Sequence, residues 1–212
     1  MTKPPPAPGS RGDGGCSFAH DPSLPAWPGP ALWLPEVSPS TLIIDPAPAG
    51  LVPPSSLDST RLGALAADVS DGGERELVIL DGENELHLRL RQPESAERPA
   101  VLLPIDATSE LRLQVALRFI RRLRGQRTQL LPPALRLTVQ QKARLVHLLH
   151  AFDIHDAGGG PRDVASEVLA SEQARLPSVE WKDSHTRRAA NRLIHDAVAL
   201  VNRGYLKLLR GR

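Results

Sequence analysis

The apolar positions of this chain change period about halfway along. Up to residue 104 the apolar runs are short, and several alternate; beyond it they recur with helical spacing. Thr41-Leu42-Ile43-Ile44 reads as a short strand. Leu57 to Asp68 has helical spacing, with Leu57, Leu62 and Leu65 as its buried side. Asp71-Gly72-Gly73 reads as a turn. Glu76 to Ile79 and Glu85 to Arg91 then form a hairpin around Leu80-Asp81-Gly82-Glu83-Asn84, where Asp-Gly supplies the positive φ of a tight turn. Leu86, Leu88 and Leu90 alternate with His87, Arg89 and Arg91, which is the pattern of a strand buried on one face. Ala100 to Pro104 reads as a further strand. Together these predict a small antiparallel β-meander covered on one side.

The second half predicts helices. Ser109 is placed to cap the first of them. Leu111, Val115, Phe119 and Leu123 drift along one side, and Leu113, Leu117 and Ile120 widen the apolar arc, so this helix is expected to pack on two sides. Leu130-Leu131-Pro132-Pro133 ends it. Thr138 with Gln141 makes a capping box, and Leu145, Leu148, Leu149 and Phe152 follow as a buried stripe. Gly158-Gly159-Gly160 breaks that helix, Pro161 opens a short one through Val164, Val168 and Leu169, and Pro177 and Trp181 lie in the connection beyond. A third helix starts near Asp183 or Ser184 and runs to about Arg203. At 100° per residue Thr186, Ala190, Leu193, Ala197, Leu200 and Val201 share one of its faces. Ser184, Arg188, Asn191, Arg192, His195 and Asn202 share the opposite one, with Arg187 at its flank.

The expected class is therefore α+β, a small antiparallel β-meander followed by a helical, helix-turn-helix-like C-terminal domain. The expected divisions are a Pro/Gly-rich disordered leader (1–21), a small mixed β module with a Pro-rich lead-in (22–108), a basic amphipathic helix (109–131) and the helical domain (132–212). In the lead-in, Trp27 and Trp33, with Phe18 just before, read as anchors pinning an extended segment to a neighbouring surface. Arg11-Gly12-Asp13 in the leader is read as chance. No run approaches 18 apolar residues, so no membrane span is expected. The N-terminus lacks a secretory apolar core, and one cysteine, Cys16, suits a cytoplasmic protein without disulfides.

Charge sharpens the contrast between the halves. The formal net charge is only +2. Yet Met1 to Glu110 carries 7 basic and 16 acidic residues, and Leu111 to Arg212 carries 19 basic and 8 acidic. A basic half beside an acidic one suggests a nucleic-acid surface, or else basic helices complementing an acidic sheet. Arg outnumbers Lys 22 to 4, which reflects either codon usage or the suitability of the guanidinium fork for phosphates and guanine edges. Arg118, Arg121, Arg122 and Arg124 admit two readings as well, a solvated strip near a helix C-terminus or a phosphate-contacting face.

Catalytic and metal chemistry finds little support. His147 and His150 are three apart, but no Cys/His partner pair follows, so no metal site is expected. Gly158-Gly159-Gly160 has no preceding strand and no following Gly-Lys-Ser/Thr, so it is not a phosphate loop. No Gly-x-Ser-x-Gly elbow occurs, and neither an enzyme nor a cofactor is expected. The polar face of the third helix suits a recognition helix, whose Arg and Asn side chains fork onto base edges while neighbours hold phosphates. An ordinary amphipathic helix with a solvated cationic face has the same pattern. The connection before it, about twelve residues, exceeds the turn of a standard helix-turn-helix.

The run Leu148 to Arg210 resembles the RovC-like family, the DNA-binding domain of type VI secretion transcription factors. The resemblance rests on Phe152-Asp153 leading into a Gly-containing turn and on Pro161-Arg162-Asp163-Val164-Ala165. Most specific is Trp181-Lys182-Asp183-Ser184 with Arg187-Arg188, Asp196-Ala197, Arg203-Gly204-Tyr205 and Leu208-Leu209. Pro30 to Val37 is similar to the segment before the domain in longer members. The chain departs from the family in lacking an aromatic beside Pro161, and in having the Pro/Gly-rich leader where longer members carry a helical module. The resemblance implies a bacterial transcriptional regulator, of a kind often encoded near integrative conjugative elements or secretion clusters. Its expected partner is double-stranded DNA, with Arg187, Arg188, Asn191 and Arg192 at bases or phosphates, Arg162 and Lys182 at the backbone, and Ser184 opening the reading helix. A homo-oligomer is the usual habit of such regulators. The rival expectation is an antiactivator that binds a related regulator through the same helices.

Overall fold

The computed structural model describes residues 29–51, 56–58, 62–127 and 130–211. The expectations for the leader, Cys16, Phe18 and Trp27 lie outside these residues. The chain divides into two compact units, Met1–Leu135 with Leu209–Arg212, and Arg136–Leu208. The α+β class holds: a five-stranded sheet precedes a helical region.

The strands are β1 (Thr41–Pro46), β2 (Leu65–Asp71), β3 (Glu74–Asp81), β4 (Asn84–Leu90) and β5 (Pro99–Leu102). Their order across the sheet is β2-β3-β4-β1-β5. β2, β3 and β4 form an antiparallel meander around the expected hairpin, but its third strand is β2, and the expected strand at Ala100 to Pro104 pairs with β1 instead. β1 then joins β4 in parallel, Leu42 opposite Leu88 and Ile44 opposite Leu90, and β5 closes the far edge antiparallel to β1. The sheet is therefore mixed, because the meander returns to the flank of the first strand.

Residues 65–68 overturn the expected helix over Leu57 to Asp68. They belong to β2, whose register runs from Leu65 opposite Ile79 to Asp71 opposite Glu74. The tight turn at Gly72-Gly73 hands this segment a hydrogen-bonding partner, and the pairing overrides its helical spacing. Leu57 and Leu62 are buried as expected, but Leu65 is exposed.

Strand alternation sends Leu42, Ile44, Leu77, Ile79, Leu86, Leu88 and Leu90 into one core. Helix α1 (Ser109–Leu123) covers it with Val115, Ala116 and Phe119. The same alternation puts Asp81, two residues past Ile79, under α1. A buried carboxylate there needs a cation. Arg118 and Arg122 both donate to it, and Arg122 also donates to the carbonyls of Leu62 and, at 3.0 Å, of Leu80. Buried Arg112 donates to the Pro35 carbonyl at 2.7 Å, which pins the Pro-rich segment before β1. Arg118 and Arg122 thus take neither expected role; together with Arg112 they hold the fold together.

In the second unit the helices are α2 (Val139–Asp156), α3 (Pro161–Glu167), α4 (Ser178–Asp183) and α5 (His185–Ala199), with a 3-10 turn at Glu172–Arg175. α6 (Tyr205–Leu209) follows a kink. The capping box at Thr138 is formed in both directions, at 2.8 and 3.1 Å. Leu148, Ala151, Val164, Ala165, Ala174, Trp181, Ala190 and Ala197 make the core, with Leu145, Phe152 and Leu193 packed against it. Leu149, expected in the buried stripe, is half exposed; Ala151 takes its place.

Candidate nucleic-acid interface

α5 has two unlike faces, as the 3.6-residue period requires. Thr186, Ala190 and Ala197 are buried; Arg188, Asn191, Arg192 and His195 are exposed. Small inner residues let α2 and α3 pack close to its axis. The guanidinium groups of Arg188 and Arg192 have no partner among the described residues. The only carboxylate within α5, Asp196, is bound by Arg144 of α2 at 2.8 Å. The exposed row is thus cationic and uncompensated over its first two turns.

The start of this helix is fixed from several sides. Ser184 is its N-cap: the hydroxyl accepts from the Arg187 amide at 3.1 Å and donates to the Trp181 carbonyl at 2.9 Å. Thr186 donates to the Gln173 side-chain carbonyl at 2.7 Å and lies 3.3 Å from the Ser171 hydroxyl. Trp181, buried in α4, carries the Arg162 guanidinium 5.2 Å from its ring centroid. Arg162 also donates to the Leu176 carbonyl at 3.2 Å. The connection before α5, expected at about twelve residues, runs over residues 168–184 and is not an open loop. A 3-10 turn and α4 pack within it and tie it to the helix it precedes.

The remaining candidates divide by position. Lys182 is exposed on α4, and its carbonyl accepts from Arg187 Nη1 at 3.0 Å. Arg187 is thereby folded back along the helix start and half buried. Asn191 donates its side-chain amide to the Arg187 carbonyl at 3.0 Å, one turn back. So Lys182, Ser184, Arg187, Arg188, Asn191 and Arg192 all cluster on α5 and its approach, while Arg162 sits behind Trp181. Sequence reasoning missed Gln173 and Ser171; the only signal was a threonine, Thr186, on the inner face of an amphipathic helix.

α5 ends at Ala199, short of the expected Arg203. Asn202 (φ −77°, ψ 62°) and Arg203 (φ 76°, ψ −4°) leave the helical region. At Gly204 a Cβ would come within 2.6 Å of the Ala199 carbonyl, so the chain can fold back there only as glycine.

A mixed five-stranded sheet is thus followed by helices, one of which presents an exposed cationic row. The family described as "T6SS, Transcription factor, DNA binding domain" (RovC_DNA-bd) matches residues 102–210, just over half of the chain, and the chain belongs to that family. It is a DNA-binding transcription factor. Residues 40–101 match a domain of unknown function, DUF7012. No curated protein and no solved structure matches the chain. The family match starts well before Leu148, where the sequence resemblance began, and takes in α1. Yet α1 packs on the sheet of the preceding match, so the boundary between the two matches cuts through one core. Among the described residues no helix is long and apolar enough to cross a membrane.

Proposed function

We propose that α5 is the reading helix and that it enters the major groove with Arg188, Asn191 and Arg192 toward base edges. The exposed row on α5, with unpartnered guanidiniums at Arg188 and Arg192, carries this reading. Arg suits guanine O6 and N7, and Asn suits adenine N6 and N7. Lys182 and Arg187 flank the helix start, where they suit phosphates, and the N-cap at Ser184 holds that end rigid. α3 and α5 take the places of the two helices of a helix-turn-helix, with residues 168–184 as an enlarged, folded connection. Arg162 serves the site through Trp181 and Leu176 rather than at the DNA.

A gel-shift titration against fragments upstream of its own gene, at two salt concentrations, tests this. Each phosphate contact contributes a slope of about −0.9 in log affinity against log salt. Arg188→Ala and Asn191→Ala are each expected to lose about 1–3 kcal/mol of discrimination between sites. Variants that bind as tightly and as selectively as the parent would remove α5 from the role of reader.

One observation favours a second reading, binding to a related regulator. The outer side of α2 exposes Val139 (84%), Val146 and Leu149 (50% each). That surface lies on a different helix from the cationic row. Binding through it would show little dependence on salt, which the same titration reads.

A further inference from the structure

α1 covers the sheet with Val115, Ala116 and Phe119, but it does not close fully against the edge strand β5. A groove of about 400 Å³ remains between them, all of it within the first unit. Val101 and Leu103 line it from the strand side, Leu113 and Leu117 from the helix. Its floor reaches Phe119, which is buried in the core. Leu113 (57% exposed) and Leu117 (46%) hold apolar surface in water, and a body that covers them gains by it.

The size and edges of the groove restrict what fits. One turn of helix, about 10 Å across and 5.4 Å high, already takes up about 400 Å³, so the groove cannot hold the length of a partner helix. An added strand is poorly served as well. β5 has four residues and opens on Pro99, which has no N–H to give to a ladder. The volume suits a small molecule, whose pockets run from about 300 to about 1,000 Å³.

Charge defines one end of that molecule. Nine of the ten residues that line the groove are apolar, and the tenth is Arg124, exposed at the rim. Its guanidinium has no partner among the described residues. The end of α1 does not occupy it either. Gly125 donates to the Arg122 carbonyl and Gln126 to the Arg121 carbonyl, both at 2.9 Å, so these carbonyls are already satisfied. Leu113 and Arg124 stand about 16 Å apart along the helix at 1.5 Å per residue.

We propose that this groove binds a free amphiphilic carboxylate, its alkyl chain along Leu117 and Leu113 and its carboxylate on Arg124. A chain of roughly eight to twelve carbons matches the length that α1 offers. Arg takes a carboxylate through two parallel hydrogen bonds, which fixes the orientation of the ligand. The proposal does not rest on the reading of DNA by α5, and its test contains no DNA.

Isothermal titration calorimetry of the full chain with monomeric octanoate, nonanoate and decanoate tests it. One site per chain is expected, tightening about threefold for each added methylene, a little under the roughly fourfold of a fully buried one. Octylammonium, with the same chain and the opposite charge, is expected not to bind. Arg124→Gln leaves the core untouched and is expected to weaken decanoate about tenfold, through loss of the charge-assisted pair. Leu117→Asp puts a negative charge on the wall and is expected to abolish binding, with the fold kept by circular dichroism. Val146→Asp, on the exposed apolar side of α2, is expected to bind as the parent does. No saturable binding of decanoate at millimolar concentration overturns the proposal. So does octylammonium binding as well as octanoate, or an Arg124→Gln variant that binds decanoate as tightly as the parent. A Val146→Asp variant that loses binding as Leu117→Asp does would place the ligand elsewhere and overturn it too.

Discussion

The Arg162 guanidinium lies over the Trp181 ring, 5.2 Å from its centroid, and joins α3 to α4 immediately before the helix that carries the cationic row. The same side chain donates to the Leu176 carbonyl. Trp181 in turn gives its carbonyl to the Ser184 hydroxyl, so the start of α5 hangs on this stack. Arg162→Ala is expected to lower the stability of the chain by about 1–2 kcal/mol, read by chemical denaturation. Binding to DNA at saturating stability should keep its salt slope. A slope shallower by about 0.9 would instead make Arg162 a phosphate contact.

Asp81 is the counterpart in the first unit. Replacing it by Ala leaves Arg118 buried with its main partner gone and frees Arg122 from the same carboxylate. A loss of about 3–5 kcal/mol is expected, because the cost is that of stranded buried charge. A melting curve within a few degrees of the parent would show that the clasp does not hold α1 to the sheet.

Local pattern made some of this architecture readable and non-local pairing hid the rest. The β3–β4 hairpin was legible because Leu86, Leu88 and Leu90 alternate next to an Asp-Gly turn, and both signals are local. The parallel pairing of β1 with β4 joins residues more than forty positions apart and leaves no periodic trace. Arg118 and Arg122 looked like surface cations, since periodicity reports where a side chain points and not what waits there. The two faces of α5 were legible from its period, whereas its end was not. Arg203 takes a left-handed conformation that residues other than Gly and Asn rarely adopt, although Gly204 beside it was a stop signal. The clamp on α5 was invisible for the same reason as the clasp on Asp81: Gln173 meets Thr186, and Arg162 meets Trp181, only once the chain has folded.

His87 gives the first unit a dependence on pH. Burial disfavours its charged form and lowers its pKa below the ordinary 6.5, although the Glu85 carboxylate at 3.1 Å pulls the other way. The unfolded chain therefore takes up the proton first as pH falls. The stability that His87 contributes is complete above the unfolded pKa and is lost as pH drops through it toward the lower folded one. The melting temperature is expected to fall between about pH 7.5 and about pH 5.5, and the slope should flatten in His87→Gln. An unchanged slope in that variant would assign the effect to other groups.

Ser184 separates the support of α5 from its contact with DNA. Its hydroxyl caps the helix and bonds back to Trp181. Ser184→Ala loses both bonds and is expected to cost about 1 kcal/mol. The first turn, which carries Arg187 and Arg188, would then fray, and affinity should drop alike for all sequences. Aspartate caps a helix as well as serine does and suits the helix dipole, so Ser184→Asp should keep the parent's melting temperature. It also brings a negative charge to the end of the helix proposed to lie beside phosphates. Its affinity for DNA should fall below the parent's, most steeply at low salt, where that repulsion is least screened. If the Asp variant melts with the parent and also binds with it at low salt, the N-terminal end of α5 does not approach the DNA backbone.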